Sequence, residues 1–153
     1  MIEHLFEHPV GLAHVLAALA ALVLGAVVVA LRKGTHRHRW LGRAYLLSML
    51  AMNATALSVY ELFGGFGPFH GLALFSLATV LSGYAAARRR QRGWKIRHAY
   101  FMAGSYVGLV AAAVAEVASR VPGWSFNAAV ITASALVIFA GLGWMMRWVP
   151  RSL

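Results

Sequence analysis

Five apolar runs, at about 10–31, 40–63, 69–87, 99–118 and 127–148, constrain this chain more than anything else in it. Each is roughly twenty residues long, the length at which a helix crosses the hydrocarbon core of a bilayer. A backbone inside lipid has no water to bond, so such runs satisfy their own amides by coiling into helices. Composition agrees. Of 153 residues, 61% are hydrophobic and 12% charged, half the charged share of about 25% in soluble domains. The first run follows acidic residues and is too long for the apolar region of a secretory leader, so it reads as a retained span. The expected fold class is all-α: a polytopic membrane protein, one integral membrane domain over residues 1–153. It would have five transmembrane helices, four forming a bundle core and the fifth a packing or lipid-facing helix.

A net charge of +10 would suggest nucleic acid in a soluble protein, but its distribution argues against that partner. Arg32, Lys33, Arg37, Arg39 and Arg43 follow the first run. Arg88, Arg89, Arg90, Arg92, Lys95 and Arg97 follow the third, and Arg147 and Arg151 the fifth. Glu3, Glu7, Glu61 and Glu116 lie toward the opposite ends of the runs. Basic loops stay in the cytoplasm. The pattern therefore predicts a bacterial inner-membrane protein with its N-terminus outside and its C-terminus in the cytoplasm. The bilayer is the one obligatory partner, anionic lipid meets the arginines, and self-association is left open.

Four of the runs carry one histidine near their start: His14, His38, His70 and His98. An imidazole in a span is costly without a partner. Runs one and three enter from outside, so His14 and His70 are expected near the outer face. Runs two and four enter from inside, which puts His38 and His98 near the inner face. Short loops make successive helices neighbours in a bundle, so each layer holds two histidines on diagonal helices. Neighbouring axes lie about 8–10 Å apart, which puts diagonals at roughly 11–14 Å. Two inward imidazoles span that gap around one iron, and a haem b in each layer fits better than a bare ion, which wants three or four ligands together. No cysteine is present, so thiolate ligation and disulfides are excluded. The plain alternative is that the histidines snorkel to the headgroups and bond backbone or water.

Two resemblances bear on this reading. The stretch Lys33…His38-Arg-Trp-Leu-Gly-Arg-Ala-Tyr45, with Phe69-His70 and His98…Met102 downstream, resembles an uncharacterised family of small bacterial multi-span membrane proteins. That likeness covers residues 10–106 and implies no mechanism. More distantly, one histidine per span in diagonal pairs resembles the transmembrane di-haem b-type cytochromes of the ascorbate-reducible kind. Their four core helices carry axial histidines in pairs, one haem near each face. The likeness implies His14 with His70 as one pair and His38 with His98 as the other.

Around these residues the sequence offers supporting groups. Arg39 and Arg43 flank the inner layer and suit haem propionates, since guanidinium binds carboxylate with two parallel hydrogen bonds. Faces of small or soft side chains continue from the histidines: Ala18, Ala21 and Gly25 after His14; Gly42, Tyr45, Met49, Met52 or Asn53 and Ala56 after His38; Met102, Ser105, Leu109, Ala112 and Glu116 after His98. The leading function is electron transfer through haem, with a quinol or another donor as partner, and a transmembrane oxidoreductase if the protein is an enzyme. A second class is a zinc or copper site at the outer face, built from His4, His8, His14 and His70 with Glu3, Glu7, Glu61 and Glu116. A third is a cofactor-free scaffold or assembly subunit whose polar residues serve helix packing.

Overall fold

A computed structural model describes residues 9–58 and 65–151. Every regular element among them is helical: α1 (Pro9–Ala30), α2 (His36–Ala56), α3 (Pro68–Arg89), α4 (Trp94–Ala118) and α5 (Phe126–Trp148), closed by a 3-10 turn over Val149–Arg151. The chain divides into two compact units, Met1–Leu81 and Ser82–Leu153.

The helix ends follow local chemistry. Thr35 caps α2, its hydroxyl oxygen accepting from the His38 amide at 3.2 Å, and Ser125 caps α5 by accepting from the Ala128 amide. Each cap satisfies one of the amides that an N-terminus leaves open. Lys33 closes α1 from the other side. Its Nζ donates to the carbonyl oxygens of Val28, Val29 and Leu31 at 3.2, 2.5 and 3.2 Å, which places a cation on the negative helix end. Burial pulls its ammonium below the usual lysine value. Between α3 and α4 the chain reverses through Arg90 at φ 48° and Gly93 at φ 73°. Glycine enters that left-handed region freely and arginine at some cost.

Two expectations are corrected here. Four helices, not five, are long and apolar enough to cross a membrane among the described residues: the stretches Pro9–Ala30, Phe69–Arg89, Trp94–Ala118 and Phe126–Arg151. The exception is α2. It begins at His36, so Arg37 and Arg39 lie within the helix together with Arg43. Its apolar part, residues 44–56, rises only about 20 Å at ~1.5 Å per residue, short of the ~30 Å hydrocarbon core. Residues 59–63, expected to complete the run, lie outside the described residues. The second correction concerns α4, which starts at Trp94, so His98 sits past the first turn rather than at the helix start.

In the first unit α1 packs along α2. Their buried residues are Ala21 and Gly25 on one side and Tyr45, Leu46, Met49, Met52 and Asn53 on the other. A small-residue stripe against large soft side chains brings two helices close without voids. In the second unit Ala103 and Val107 of α4 pack with Met145 of α5 and Val149, flanked by Tyr100, Trp144 and Trp148. Gly141 is what permits that approach, because a Cβ there would overlap the Val107 side chain. Gly141→Leu is therefore expected to force the α4–α5 pair apart and cost about 1–3 kcal/mol, measured as a lowered unfolding midpoint in detergent. An unchanged midpoint would show that the contact contributes nothing. Outside these seams large apolar side chains face outward, among them Val23 at 64%, Phe75 at 70% and Phe139 at 74% exposure. Such a surface suits lipid and not water.

Candidate functional site

His14 lies on α1, half-buried, with its ring turned onto α2. Its Nδ1 is 3.1 Å from both the Met52 carbonyl oxygen and Thr55 Oγ1. The Thr55 hydroxyl spends its proton on its own helix, reaching the Ala51 and Met52 carbonyl oxygens at 2.9 and 2.8 Å. Both partners of Nδ1 are thus acceptors, so Nδ1 carries the hydrogen. In the neutral ring Nε2 then holds the lone pair. The contact also shows that α1 and α2 run antiparallel, with His14 near the far end of α2 from His38. From His38 to Met52 the helix rises about 21 Å. The two-level placement of these two histidines follows.

His98 repeats the arrangement in the second unit. Its Nδ1 lies 2.9 Å from the Gly83 carbonyl oxygen on α3. A carbonyl only accepts, so Nδ1 again bears the hydrogen and Nε2 the lone pair. Gly83 lets α4 come close here. A Cβ would sit 2.7 Å from Met102 Sδ and 3.2 Å from Phe101 Cβ. The Trp94 ring lies 6.5 Å from the His98 ring and the Arg90 guanidinium 5.7 Å from the Trp94 ring centre.

His70 is different. It is 2% exposed, and its Nδ1 accepts a hydrogen bond from the Gly67 amide at 3.1 Å, with the Phe66 ring 5.2 Å away. Accepting at Nδ1 places the ring hydrogen on Nε2 in the neutral form. This imidazole therefore serves as a helix-entry cap for α3. As it stands it does not fit a metal ligand through Nε2.

His38 is half-buried in the first turn of α2, and Arg39 and Arg43 are exposed one turn apart on that helix. Glu116 is exposed and ion-paired with Arg120 in an i, i+4 arrangement. That pair accounts for its charge without a metal. His4, His8, Glu3, Glu7 and Glu61 lie outside the described residues. Among the described residues no group of three or more His, Cys, Asp or Glu side chains gathers as a metal site.

Two partners were not visible in the sequence. Thr55 carried no motif. Gly83 could have been suspected from a glycine inside an apolar helix, which marks close backbone approach.

An imidazole fixed through Nδ1–H to a carbonyl, which puts the lone pair on Nε2, is the arrangement in which proteins hold histidine ligands to a metal. His14 and His98 fit a haem iron in this respect. No curated protein and no solved structure matches the chain. Residues 11–150 match the family described as a predicted membrane protein (DUF2306), and the chain belongs to that uncharacterised family of membrane proteins.

Proposed function

We propose that this protein is a membrane b-type cytochrome-like electron-transfer protein, with His14 and His98 as the leading ligands of two haem centres. The observation that carries the reading is the shared setting of these imidazoles. Each is tethered through Nδ1–H to an acceptor on the neighbouring helix, which fixes ring orientation and tautomer in advance. Bound haem would supply one-electron redox chemistry. The chain's own residues supply the rest. The Met52 and Gly83 carbonyls raise the basicity of the ligating nitrogens. Arg39 and Arg43, exposed and without an acidic neighbour in sequence, suit propionate carboxylates. For His70 to share an iron with His14, its ring would first have to give up the Gly67 amide.

The basic ends, residues 32–43, 88–97 and 147–151, are assigned to the cytoplasmic side of a bacterial inner membrane by their charge. A quinol or another membrane-dissolved donor is the partner this reading calls for. A reporter that works only in the cytoplasm, fused after Leu153, is expected to be active. Activity of a periplasmic reporter at the same position would reverse the assignment.

The deciding experiment is the absorption spectrum of the protein purified in mild detergent, before and after dithionite. A Soret band and a sharpened alpha band on reduction support the reading. A colourless preparation that takes up no haem on reconstitution ends it. Stoichiometric zinc or copper would then identify a metal-handling protein, and no cofactor at all a packing scaffold.

A further inference from the structure

We propose that the cleft between the end of α3 and the start of α4 is a binding site for the headgroup of an anionic phospholipid. Its walls are Ser82, Ala86 and Arg89 on one face of α3 and Arg97 and Phe101 on α4, with Gln91 from the connecting turn. Spacings of three and four residues bring each set onto one side of its helix. The cleft encloses about 220 Å³. Pockets for drug-sized ligands start near 300 Å³, so a phosphodiester with its glycerol fits here and a haem does not. The proposal is therefore independent of the cofactor reading.

Charge and depth point to the same ligand. Glu116 is the one acidic side chain in residues 82–153, and it is already paired with Arg120. Six cations between Arg88 and Arg97 thus have no carboxylate from this stretch to neutralise them. One Arg97 nitrogen, Nη2, donates to the Arg92 carbonyl at 2.9 Å, which steadies a fork whose other N–H groups can meet phosphate oxygens. Arg89 is the last residue of α3, the level at which an apolar span meets headgroups. Ala85, Ala86 and Phe101 make the floor apolar. Free phosphate gains nothing from such a floor, whereas the start of an acyl chain does. The floor is what commits the site to a lipid.

The test is lipid retention by the full-length protein in detergent, read by native mass spectrometry with added phosphatidylglycerol, phosphatidylcholine or inorganic phosphate. Phosphatidylglycerol is expected to bind in preference to phosphatidylcholine and to resist competition by millimolar inorganic phosphate. Each phosphate-facing cation near a membrane surface is worth about fivefold in affinity, so Arg89→Gln with Arg97→Gln should weaken retention about 25-fold. Arg32→Gln with Arg37→Gln removes the same charge elsewhere and should leave retention within about twofold by the same reckoning. Phe101→Ala keeps both arginines and should lower retention of phosphatidylglycerol without changing any response to inorganic phosphate. Equal losses in both arginine pairs would overturn the site in favour of diffuse attraction. Displacement by inorganic phosphate at the same two arginines would overturn the lipid assignment. If Arg97→Gln fails to fold, Arg97→Lys keeps the charge but loses the fork, and unchanged retention there also counts against the site.

Discussion

His14→Ala and His98→Ala are each expected to remove one haem centre or leave it high-spin, while His70→Ala leaves both centres coloured. The first two variants delete an imidazole whose ring hydrogen is held at Nδ1, which puts the lone pair on Nε2. Loss of that axial nitrogen would change the coordination and spin state of the iron, which moves the Soret band, or would release the haem. His70→Ala instead removes the acceptor of the Gly67 amide. A buried amide left without a partner costs about 1–3 kcal/mol, so its effect should appear as lowered stability with an unchanged spectrum. Thr55→Val separates support from ligation. It deletes one of the two acceptors at His14 Nδ1 and keeps the other. Changes of this kind cost about 10–100-fold in affinity for the metal, so haem should titrate in more weakly without a change of spin state. A His70→Ala protein that loses the same centre as His14→Ala would restore the diagonal pair and overturn the tautomer argument.

That reassignment shows where sequence reading ends. The pairing of α1 with α2 was legible because short connections make successive helices neighbours. The short connection between Ala30 and His36 makes α1 and α2 antiparallel neighbours, and His14 meets Met52 and Thr55 as a consequence. The packing faces were legible too. The stripe Ala18, Ala21, Gly25 contains the two buried residues of α1, and the face through Tyr45, Met49, Met52 and Asn53 is the buried face of α2. Hydrogen-bond direction was not legible. His14 and His70 are the same residue type, each near the start of its helix. Only the identity of the facing group, a carbonyl for one and an amide for the other, sets opposite tautomers. Backbone groups leave no trace in a residue pattern. The second face of α4 was missed for a related reason. Ala103 and Val107 lie off the face that continues from His98, and their seam on α5 depends on the space that Gly141 leaves. Helix α2 was misjudged because apolar residues were counted without subtracting the arginines inside its first turns.

Asn53→Asp is expected to destabilise the first unit by about 3 kcal/mol, the upper cost of a buried polar group left without its partners and larger for a charged one, while Asn53→Leu stays within about 1 kcal/mol of the parent. Asn53 is fully buried. Its Nδ2 donates to the Met49 carbonyl at 2.8 Å and to Ser76 Oγ on α3 at 3.2 Å. Its Oδ1 is buried with no hydrogen-bond partner among the described residues, so the amide is only half satisfied. Asparagine thus gains a cross-helix bond to α3 and carries an unmade one. Leucine removes both together. The Met49 carbonyl keeps the intrahelical bond that any helical carbonyl receives, and the Ser76 hydroxyl can turn back onto its own helix. Aspartate is worse on both counts. It loses the two donated bonds and places an acid where no cation is at hand. The measurement is unfolding of the purified protein in mixed micelles, comparing midpoints for the three side chains. Should Asn53→Leu cost as much as Asn53→Asp, the bond to Ser76 would be what holds α3 to α2, and the half-satisfied amide would be a structural requirement rather than a tolerated expense.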